Sequence, residues 1–176
     1  MLQPAIFLDR DGTLMKEVNY CRDASLVDVF EGVAESLLAL KAAGFRTVLV
    51  TNQSGIGRGI IAQHEYEQVH ERLLELLGEG ALDACYMCAD APDTPSTRRK
   101  PQPGMLFDAA RDLNLDLNRS WMVGDKDIDI LCGFNAGVRG ILVRTGHGDS
   151  ALGTDAAHIA LDFAAAARWI LQRQSS

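Results

Sequence analysis

Short apolar runs alternate along the chain with stretches in which apolar residues recur every three or four positions. The apolar runs predict buried strands at residues 5–8, 45–50, 85–88, 121–123 and 141–143. The recurring pattern predicts helices at residues 31–43, 66–77, 105–113, 128–136 and 163–172. Strands that alternate with helices indicate an α/β fold, in which helices cover both faces of a doubly wound, Rossmann-like parallel sheet.

A proline-rich loop interrupts this alternation. Residues 90–103 contain four of the five prolines and are predicted to be irregular. The sequence has no internal repeat, no low-complexity stretch and no interdomain linker. Because 176 residues suffice for one domain but hardly for two, we expect residues 1–176 to form a single domain.

Polar side chains follow three of the predicted strands at the point where each strand ends. These segments are Asp9-Arg10-Asp11-Gly12-Thr13, Thr51-Asn52-Gln53-Ser54-Gly55 and Gly124-Asp125-Lys126, and the proline loop adds Arg98-Arg99-Lys100. Ligands of open parallel sheets bind at the carboxyl ends of the strands, so we expect these groups to converge on one crevice.

The residue types in this crevice are suited to phosphoryl transfer. Asp9 and Asp11 are two positions apart on an extended chain, so both can serve one reacting centre. Asp125 adds a third carboxylate, and oxygen ligands of this kind favour Mg²⁺. Lys100 and the Thr51 hydroxyl can hold phosphoryl oxygens. A carboxylate nucleophile would form an aspartyl phosphate, and a neighbouring carboxyl group could protonate the leaving alcohol and then activate a water.

Charge and composition narrow the class of partner. The net charge of −7 argues against nonspecific binding to nucleic acid or to anionic membranes, although a local basic site could still bind a phosphorylated substrate. The first apolar run is too short for a signal peptide or a membrane span. We therefore expect a cytoplasmic, monomeric protein that acts on a small molecule, with reduced thiols at Cys21, Cys85, Cys88 and Cys132.

Taken in chain order, Asp9-Arg10-Asp11-Gly12-Thr13, Thr51-Asn52, Lys100 and Gly124-Asp125 resemble the four motifs of the haloacid dehalogenase superfamily. The longer runs around them, at residues 7–14, 51–59, 99–105 and 123–126, look like the branch that contains histidinol-phosphate phosphatases and D-glycero-D-manno-heptose 1,7-bisphosphate phosphatases. The similarity covers residues 5–145, which is most of the chain.

The resemblance implies a magnesium-dependent phosphoric monoester hydrolase that works through a phospho-aspartate intermediate. Asp9 would be the nucleophile and a metal ligand, and Asp11 would be the proton donor and acceptor and would offer its backbone oxygen to the metal. Asp125 would be the third metal ligand, and Thr51 and Lys100 would bind the transferring phosphoryl group. The residues at substrate-contacting positions are Glu17, Val18, Asn19, Tyr20, Asn52, Gln53, Ser54, Arg99 and Lys126.

The substrate that this resemblance favours is D-glycero-D-manno-heptose 1,7-bisphosphate, hydrolysed to the 1-phosphate in lipopolysaccharide precursor synthesis. Arg99 could supply the second cationic anchor that a bisphosphate needs. Histidinol phosphate is the alternative substrate, because its phosphatases share the motifs. A receiver-like signalling domain is the alternative outside enzymes, although its acceptor aspartate lies on a different strand from its acidic pair. The segments between the motifs are too short for a sizeable cap domain, so we expect an open site.

The proline loop departs from the heptose branch, which often carries a structural zinc site there. Cys88 keeps one ligand position, but Asp90, Ser96 and Arg98 occupy the other three. We therefore expect no zinc and a loop held by prolines and hydrogen bonds. Cys85 and Cys88 are interpreted as buried thiols. Asp129 could orient the site or be an ordinary polar helix residue.

Overall fold

One parallel sheet runs through residues 2–151 and 154–174, which are the residues described by the computed structural model. Its strands are β1 (Ala5–Leu8), β2 (Arg46–Asn52), β3 (Ala84–Cys88), β4 (Trp121–Gly124), β5 (Arg139–Val143) and β6 (His158–Ala160). They lie in the order β3-β2-β1-β4-β5-β6, and every neighbouring pair is parallel. The chain moves outward from β1 to β3 and then returns to β4, so the order reverses between β1 and β4. That reversal opens a crevice at the carboxyl ends of these two strands.

Helices cover both faces of this sheet. They are α1 (Val33–Ala42), α2 (Ser54–Gly57), α3 (Gln63–Leu77), α4 (Gly104–Leu113), α5 (Asp127–Asn135) and α6 (Phe163–Gln174). Three 3₁₀ turns occupy Ala24–Leu26, Leu117–Arg119 and Gly148–Ala151. No helix in the described part of the chain is long and apolar enough to cross a membrane.

The central strand β1 supplies side chains to two separate cores. Ile6 and Leu8 pack into the core beneath α1, α3 and α6, whereas Ala5 and Phe7 pack into the core beneath α4 and α5. Successive side chains of a strand point to opposite faces, and all four of these residues are fully buried. A strand covered on both faces needs apolar residues at every position, which explains the unbroken run Ala5–Leu8.

The predicted doubly wound fold is confirmed, and the boundaries of the predicted elements agree to within a few residues. Strand β6 and helix α2 were not predicted. Strand β6 has only three residues, pairs with β5 alone and leaves Ile159 partly exposed, so its sequence lacks the signal of a buried strand. Between β1 and α1 the structure describes only one 3₁₀ turn, and residues 89–103 contain no helix or strand. The described residues therefore form no sizeable cap domain.

Candidate active site

Asp9 and Lys100 form a buried ion pair at the carboxyl end of the central strand. Asp9 directly follows β1, and its backbone N–H donates to the carbonyl of Val123 at 3.0 Å, which ties it to β4. The Lys100 ammonium lies 2.5 Å from Oδ1 of Asp9 and 2.7 Å from Oδ1 of Asp129, and it donates to the carbonyl of Val50 at 2.9 Å. The ammonium therefore donates hydrogen bonds to Asp9 and to the Val50 carbonyl and forms an ion pair with Asp129, and these three contacts fix its position.

The Asn52 side chain holds the backbone of Lys100, which belongs to the proline loop, next to the end of β2. Its side-chain amide donates to the Lys100 carbonyl at 3.0 Å, and its amide oxygen accepts the Lys100 backbone N–H at 3.0 Å. This pair of hydrogen bonds joins the end of β2 to the loop. Asn52 also lines the substrate-side pocket described below, but its side-chain amide is used to hold the loop.

Three buried carboxylates face one another beside Lys100. Asp9, Asp125 and Asp129 each offer an oxygen atom, and these atoms all lie within 4.8 Å of one another. Oδ2 of Asp125 accepts the backbone N–H of His147 at 2.8 Å, but its buried Oδ1 has no partner among the described residues. Buried carboxylate oxygens are normally paired with a donor or a metal ion, so this unpaired oxygen fits a cation site.

The pKa values of the clustered groups also fit a cation site. The pKa of Asp9 is raised to about 8, chiefly by burial and also by Asp129 and Asp125, against the opposing effect of Lys100. Burial also raises the pKa of Asp125 to about 6. The pKa of Lys100 is lowered by burial but raised more strongly by Asp129 and Asp9, so the lysine stays protonated. One ammonium compensates three carboxylates incompletely, and a divalent cation would supply the missing charge.

The Asp11 side chain lies apart from this cluster in its own set of contacts. Arg10 donates to both of its oxygens, from Nε to Oδ2 at 3.0 Å and from Nη2 to Oδ1 at 3.2 Å. Gln53 donates to Oδ2 of Asp11 at 3.0 Å and to the Thr51 hydroxyl at 2.8 Å. Gln53 therefore links Asp11 to the hydroxyl that is predicted to bind the phosphoryl group.

A pocket of about 180 Å³ is lined by Arg10 and Asp11 together with residues of neighbouring segments. Lys126 and Glu17 lie on its wall as an ion pair with a 3.1 Å separation. The pocket collects eight of the nine positions at which substrate contacts are predicted: Glu17, Val18, Asn19, Tyr20, Asn52, Gln53, Ser54 and Lys126. These residues come from the segments after β1, β2 and β4, and the topology of the sheet brings them together.

Arg99 is the ninth position, and it is not among the described residues that line the pocket. Its Nη1 donates to the carbonyl of Asp90 at 3.0 Å, and its backbone N–H donates to the Ser96 hydroxyl at 3.0 Å. In this structure Arg99 thus contributes to the folding of the proline loop. Its contact with a substrate stays a prediction.

The proline loop is held by polar contacts at the four positions that the sequence analysis compared with a zinc site. The Cys88 thiol lies 3.3 Å from Oδ2 of Asp90 and 3.7 Å from the Ser96 hydroxyl. Arg98 forms an ion pair with Asp108 of α4 at 3.1 Å. The Ser96 hydroxyl and the Asp90 carboxylate therefore contact Cys88, and Arg98 is paired with a residue of α4. The interpretation of Cys85 as a buried thiol is wrong, because Cys85 is exposed and only Cys88 is buried.

Three features of the site were missed or left open by the sequence. Asp129 is one turn beyond Asp125 on α5, and its ion pair with Lys100 places it inside the site. Arg10 lies between the two predicted catalytic aspartates in the sequence, and that position could have indicated its role in the site. The backbone N–H of His147 donates to Asp125. Any residue could make this contact, so the residue type at position 147 does not predict it.

Known proteins resemble this chain in sequence and in fold. A family model described as HAD-hydrolase-like matches residues 97–166. The D-glycero-D-manno-heptose-1,7-bisphosphate 7-phosphatase of Thermosynechococcus vestitus is 43% identical to this chain in sequence. The alignment covers 97% of this chain and 96% of that relative. The chain belongs to the haloacid dehalogenase hydrolase family.

This HAD phosphatase is a phosphoric monoester hydrolase, and its fold has been solved in a relative. The D,D-heptose 1,7-bisphosphate phosphatase from B. bronchiseptica, complexed with magnesium and phosphate, matches with a TM-score of 0.89 and 32% identity over 97% of this chain and 99% of that one. The D-glycero-beta-D-manno-heptose-1,7-bisphosphate 7-phosphatase of Photorhabdus laumondii is 41% identical over 81% of both chains.

Proposed function

We propose that this HAD phosphatase hydrolyses the 7-phosphate of D-glycero-D-manno-heptose 1,7-bisphosphate through a phospho-Asp9 intermediate. The observation that carries the proposal is the buried Asp9–Lys100 pair: Asp9 belongs to a carboxylate cluster, and the next two residues of the chain, Arg10 and Asp11, line a polar pocket. Relatives that span nearly the whole chain are named as phosphatases of this bisphosphate, which supports the choice of substrate.

In the first half-reaction an Asp9 oxygen forms a bond to phosphorus and the bond from phosphorus to the sugar oxygen breaks. The leaving oxygen takes a proton from the Asp11 carboxyl group and departs as the alcohol. Lys100 and the Thr51 hydroxyl hold the phosphoryl oxygens as negative charge develops. Both groups are nearly inaccessible to solvent, so their interactions with the phosphoryl group are weakly screened.

In the second half-reaction a water oxygen attacks the phosphorus of phospho-Asp9. Asp11, now ionised, accepts a proton from that water, and the bond between phosphorus and the Asp9 oxygen breaks. The products are inorganic phosphate and the original Asp9 carboxylate. The same side chain therefore acts first as acid and then as base.

Mg²⁺ fits the residues that are present. Asp9 and Asp125 would hold it together with the backbone oxygen of Asp11, and the unpaired Oδ1 of Asp125 is available to it. When bound, the ion would neutralise charge between the carboxylate nucleophile and the phosphate dianion. Asp129 is engaged by Lys100 at 2.7 Å and by the Lys126 backbone N–H at 3.1 Å, so we assign it to holding Lys100.

The pocket suits a phosphorylated sugar, because polar and charged groups line it. Lys126 lines the pocket and is proposed to contact the part of the substrate that stays phosphorylated. Arg99 is proposed as a second contact, reached if its guanidinium leaves the Asp90 carbonyl.

Two variants test the nucleophile and the proton donor separately. Asp9→Asn should abolish release of phosphate from heptose 1,7-bisphosphate, because an amide cannot form an acyl phosphate. Asp11→Asn keeps the nucleophile and should lower kcat by about 10²–10⁴-fold through loss of proton transfer. The measurement is phosphate release in the presence of Mg²⁺, with histidinol phosphate as the comparison substrate. Turnover by Asp9→Asn without deamidation would refute the mechanism, and a preference for histidinol phosphate would refute the substrate.

A further inference from the structure

Arg10 is a fully buried arginine at the edge of the active site. Only 1% of its surface is exposed, and it is the largest of the fully buried side chains in the described residues. A buried guanidinium costs free energy unless its charge and its N–H groups are matched. The partners of Arg10 therefore indicate what it is there to do.

Those partners are Asp11 and an aromatic ring. Nε and Nη2 of Arg10 reach the two oxygens of Asp11 at 3.0 and 3.2 Å, which is the forked geometry of strong arginine–carboxylate pairs. The guanidinium also lies over the ring of Tyr66, 5.4 Å from its centre. The Arg10 carbonyl accepts the backbone N–H groups of Leu14 and Met15 at 3.0 and 3.1 Å, so the backbone of Arg10 is fixed as well.

The contacts leave one position on the Asp11 carboxyl group unoccupied. A carboxylate has about four lone-pair sites, two on each oxygen. Oδ2 accepts from Arg10 Nε and from Gln53 Nε2, whereas among the residues that the structure describes only Arg10 Nη2 donates to Oδ1. The remaining site is on Oδ1, and it is the place where a transferable proton can sit without breaking a contact.

Resting on the proposed function, we propose that Arg10 is a positioning residue that holds Asp11 with Oδ1 as its proton-carrying oxygen. Gln53 assists by occupying Oδ2. Arg10 itself is not a substrate ligand, although it borders the pocket. Its Nη1 is the guanidinium nitrogen that has no partner in the described part of the chain, and that atom is buried away from the solvent.

This role has a chemical signature that a purely structural role lacks. A sugar alkoxide is a poor leaving group and depends on the proton from Asp11, whereas a dinitrophenolate leaves without one. The ratio kcat/KM reports steps up to departure of the leaving group. Misplacing Asp11 should therefore harm hydrolysis of the sugar phosphate and spare hydrolysis of 2,4-dinitrophenyl phosphate.

The experiment measures kcat/KM of Arg10→Met, Arg10→Lys and Asp11→Asn on heptose 1,7-bisphosphate and on 2,4-dinitrophenyl phosphate. Arg10→Met should lose about 10–100-fold on the sugar phosphate and less than about threefold on the aryl phosphate. Arg10→Lys, which retains a charge and one hydrogen bond, should lie between wild type and Arg10→Met. Both kcat/KM values are measured on the same preparation, so an unfolded fraction of the protein lowers both equally and does not change their ratio.

Two further variants complete the test. Arg46→Met removes an arginine that pairs with Asp83 near the amino ends of the strands. It should leave the ratio of kcat/KM on the sugar phosphate to kcat/KM on the aryl phosphate unchanged. The double variant Arg10→Met/Asp11→Asn should be no slower on the sugar phosphate than Asp11→Asn alone, because the two residues act as a unit.

The possible failures are distinguishable. Equal losses on both substrates for Arg10→Met, with a selective loss for Asp11→Asn, would overturn the positioning role and leave the proposed function intact. Additive losses in the double variant would overturn it too. A nonselective loss for Asp11→Asn would instead refute Asp11 as the proton donor, and the role of Arg10 with it.

Discussion

At the scale of single residues, two glycines shape the surroundings of Asp125. Gly12 and Gly146 have φ values of +87° and +59°, and a Cβ on either would overlap Oδ2 of Asp125. The Thr145 hydroxyl, next to Gly146, donates to the Gly12 carbonyl at 2.6 Å and holds the two segments together. Glycine is thus needed at both positions for its backbone conformation and for its lack of a side chain.

Gly146→Ala should therefore disturb the cation site without replacing a proposed ligand. The added methyl group would push Asp125 out of place, and changes of this kind around metal ligands typically cost about 10–100-fold in metal affinity. We expect the Mg²⁺ concentration for half-maximal activity to rise by that factor, as measured by phosphate release during a Mg²⁺ titration.

Gly137→Ala is the matched control for this prediction. Gly137 has a similar φ of +75°, and a Cβ there would meet nothing within 4 Å. It should carry a comparable backbone strain, about 1 kcal/mol, and leave the Mg²⁺ requirement unchanged. A similar shift in both variants would mean that strain, and not the displacement of Asp125, is responsible.

At the scale of elements, Asp83 joins α1, β2 and β3 at the amino ends of these strands. It lies just before β3, pairs with Lys41 of α1 at 2.7 Å and with Arg46 of β2 at 2.8 Å, and accepts the Thr47 backbone N–H at 2.8 Å. Burial opposes the charge on Asp83, but Lys41, the Thr47 amide and Arg46 together lower its pKa to about 2.

Asp83→Asn should destabilise the protein in a pH-dependent way. The pKa of this carboxyl group is lower in the folded than in the unfolded state. Its stabilising effect is therefore complete above about pH 4 and disappears as the pH falls through 2. At pH 7 we expect a loss of about 1–2 kcal/mol in the free energy of unfolding, reduced from the full linkage value by partial solvent screening.

The measurement is urea unfolding of wild type and variant between pH 3 and pH 7. The control is Glu75→Gln, which breaks an exposed ion pair with Arg72 on α3 and should change stability little at any pH. A difference between wild type and Asp83→Asn that stays constant across this range would contradict the assignment to the carboxylate charge.

At the scale of the whole molecule, the acidic cluster ties stability to cation binding. The protein has a net charge of −7, and the cluster adds locally to this excess of negative charge. An ion that binds the folded but not the unfolded state stabilises the fold, by about 2.7 kcal/mol at a hundredfold excess over Kd. Mg²⁺ should therefore raise the melting temperature of the protein.

This stabilisation should be larger at pH 8 than at pH 5. The pKa values of Asp9 and Asp125 are raised to about 8 and about 6, so both carboxyl groups hold protons at pH 5 that compete with the ion. In the absence of Mg²⁺, the same raised pKa values should lower stability as the pH rises, because the folded state resists ionisation of these groups.

Thermal melts with Mg²⁺ and with a chelator at the two pH values check this expectation. Asp125→Asn should remove most of the Mg²⁺ effect, whereas Asp93→Asn, at an exposed position of the proline loop, should retain it. An equal Mg²⁺ effect in all three proteins would place the ion elsewhere on the surface.

The sequence by itself determined the sheet and the edge at which the site lies. Strand β1 reads as a strand because both of its faces are buried, and Asp9, Thr51 and Asp125 stand at strand ends that a parallel sheet must bring to one edge. These are consequences of local pattern and of chain direction, and both can be read without coordinates.

Only the tertiary structure decided which groups meet at that edge. Lys100 and Asp9 are 91 positions apart, and the choice of Asp129 as a second partner for Lys100 depends on how α5 packs beside β4. The pairing of Arg10 with Asp11 and the hydrogen bond from the His147 backbone to Asp125 likewise depend on loop paths. Strand β6 forms because β5 offers it an open edge. Such contacts are set by the packing of distant segments, which leaves no periodic signal in the sequence.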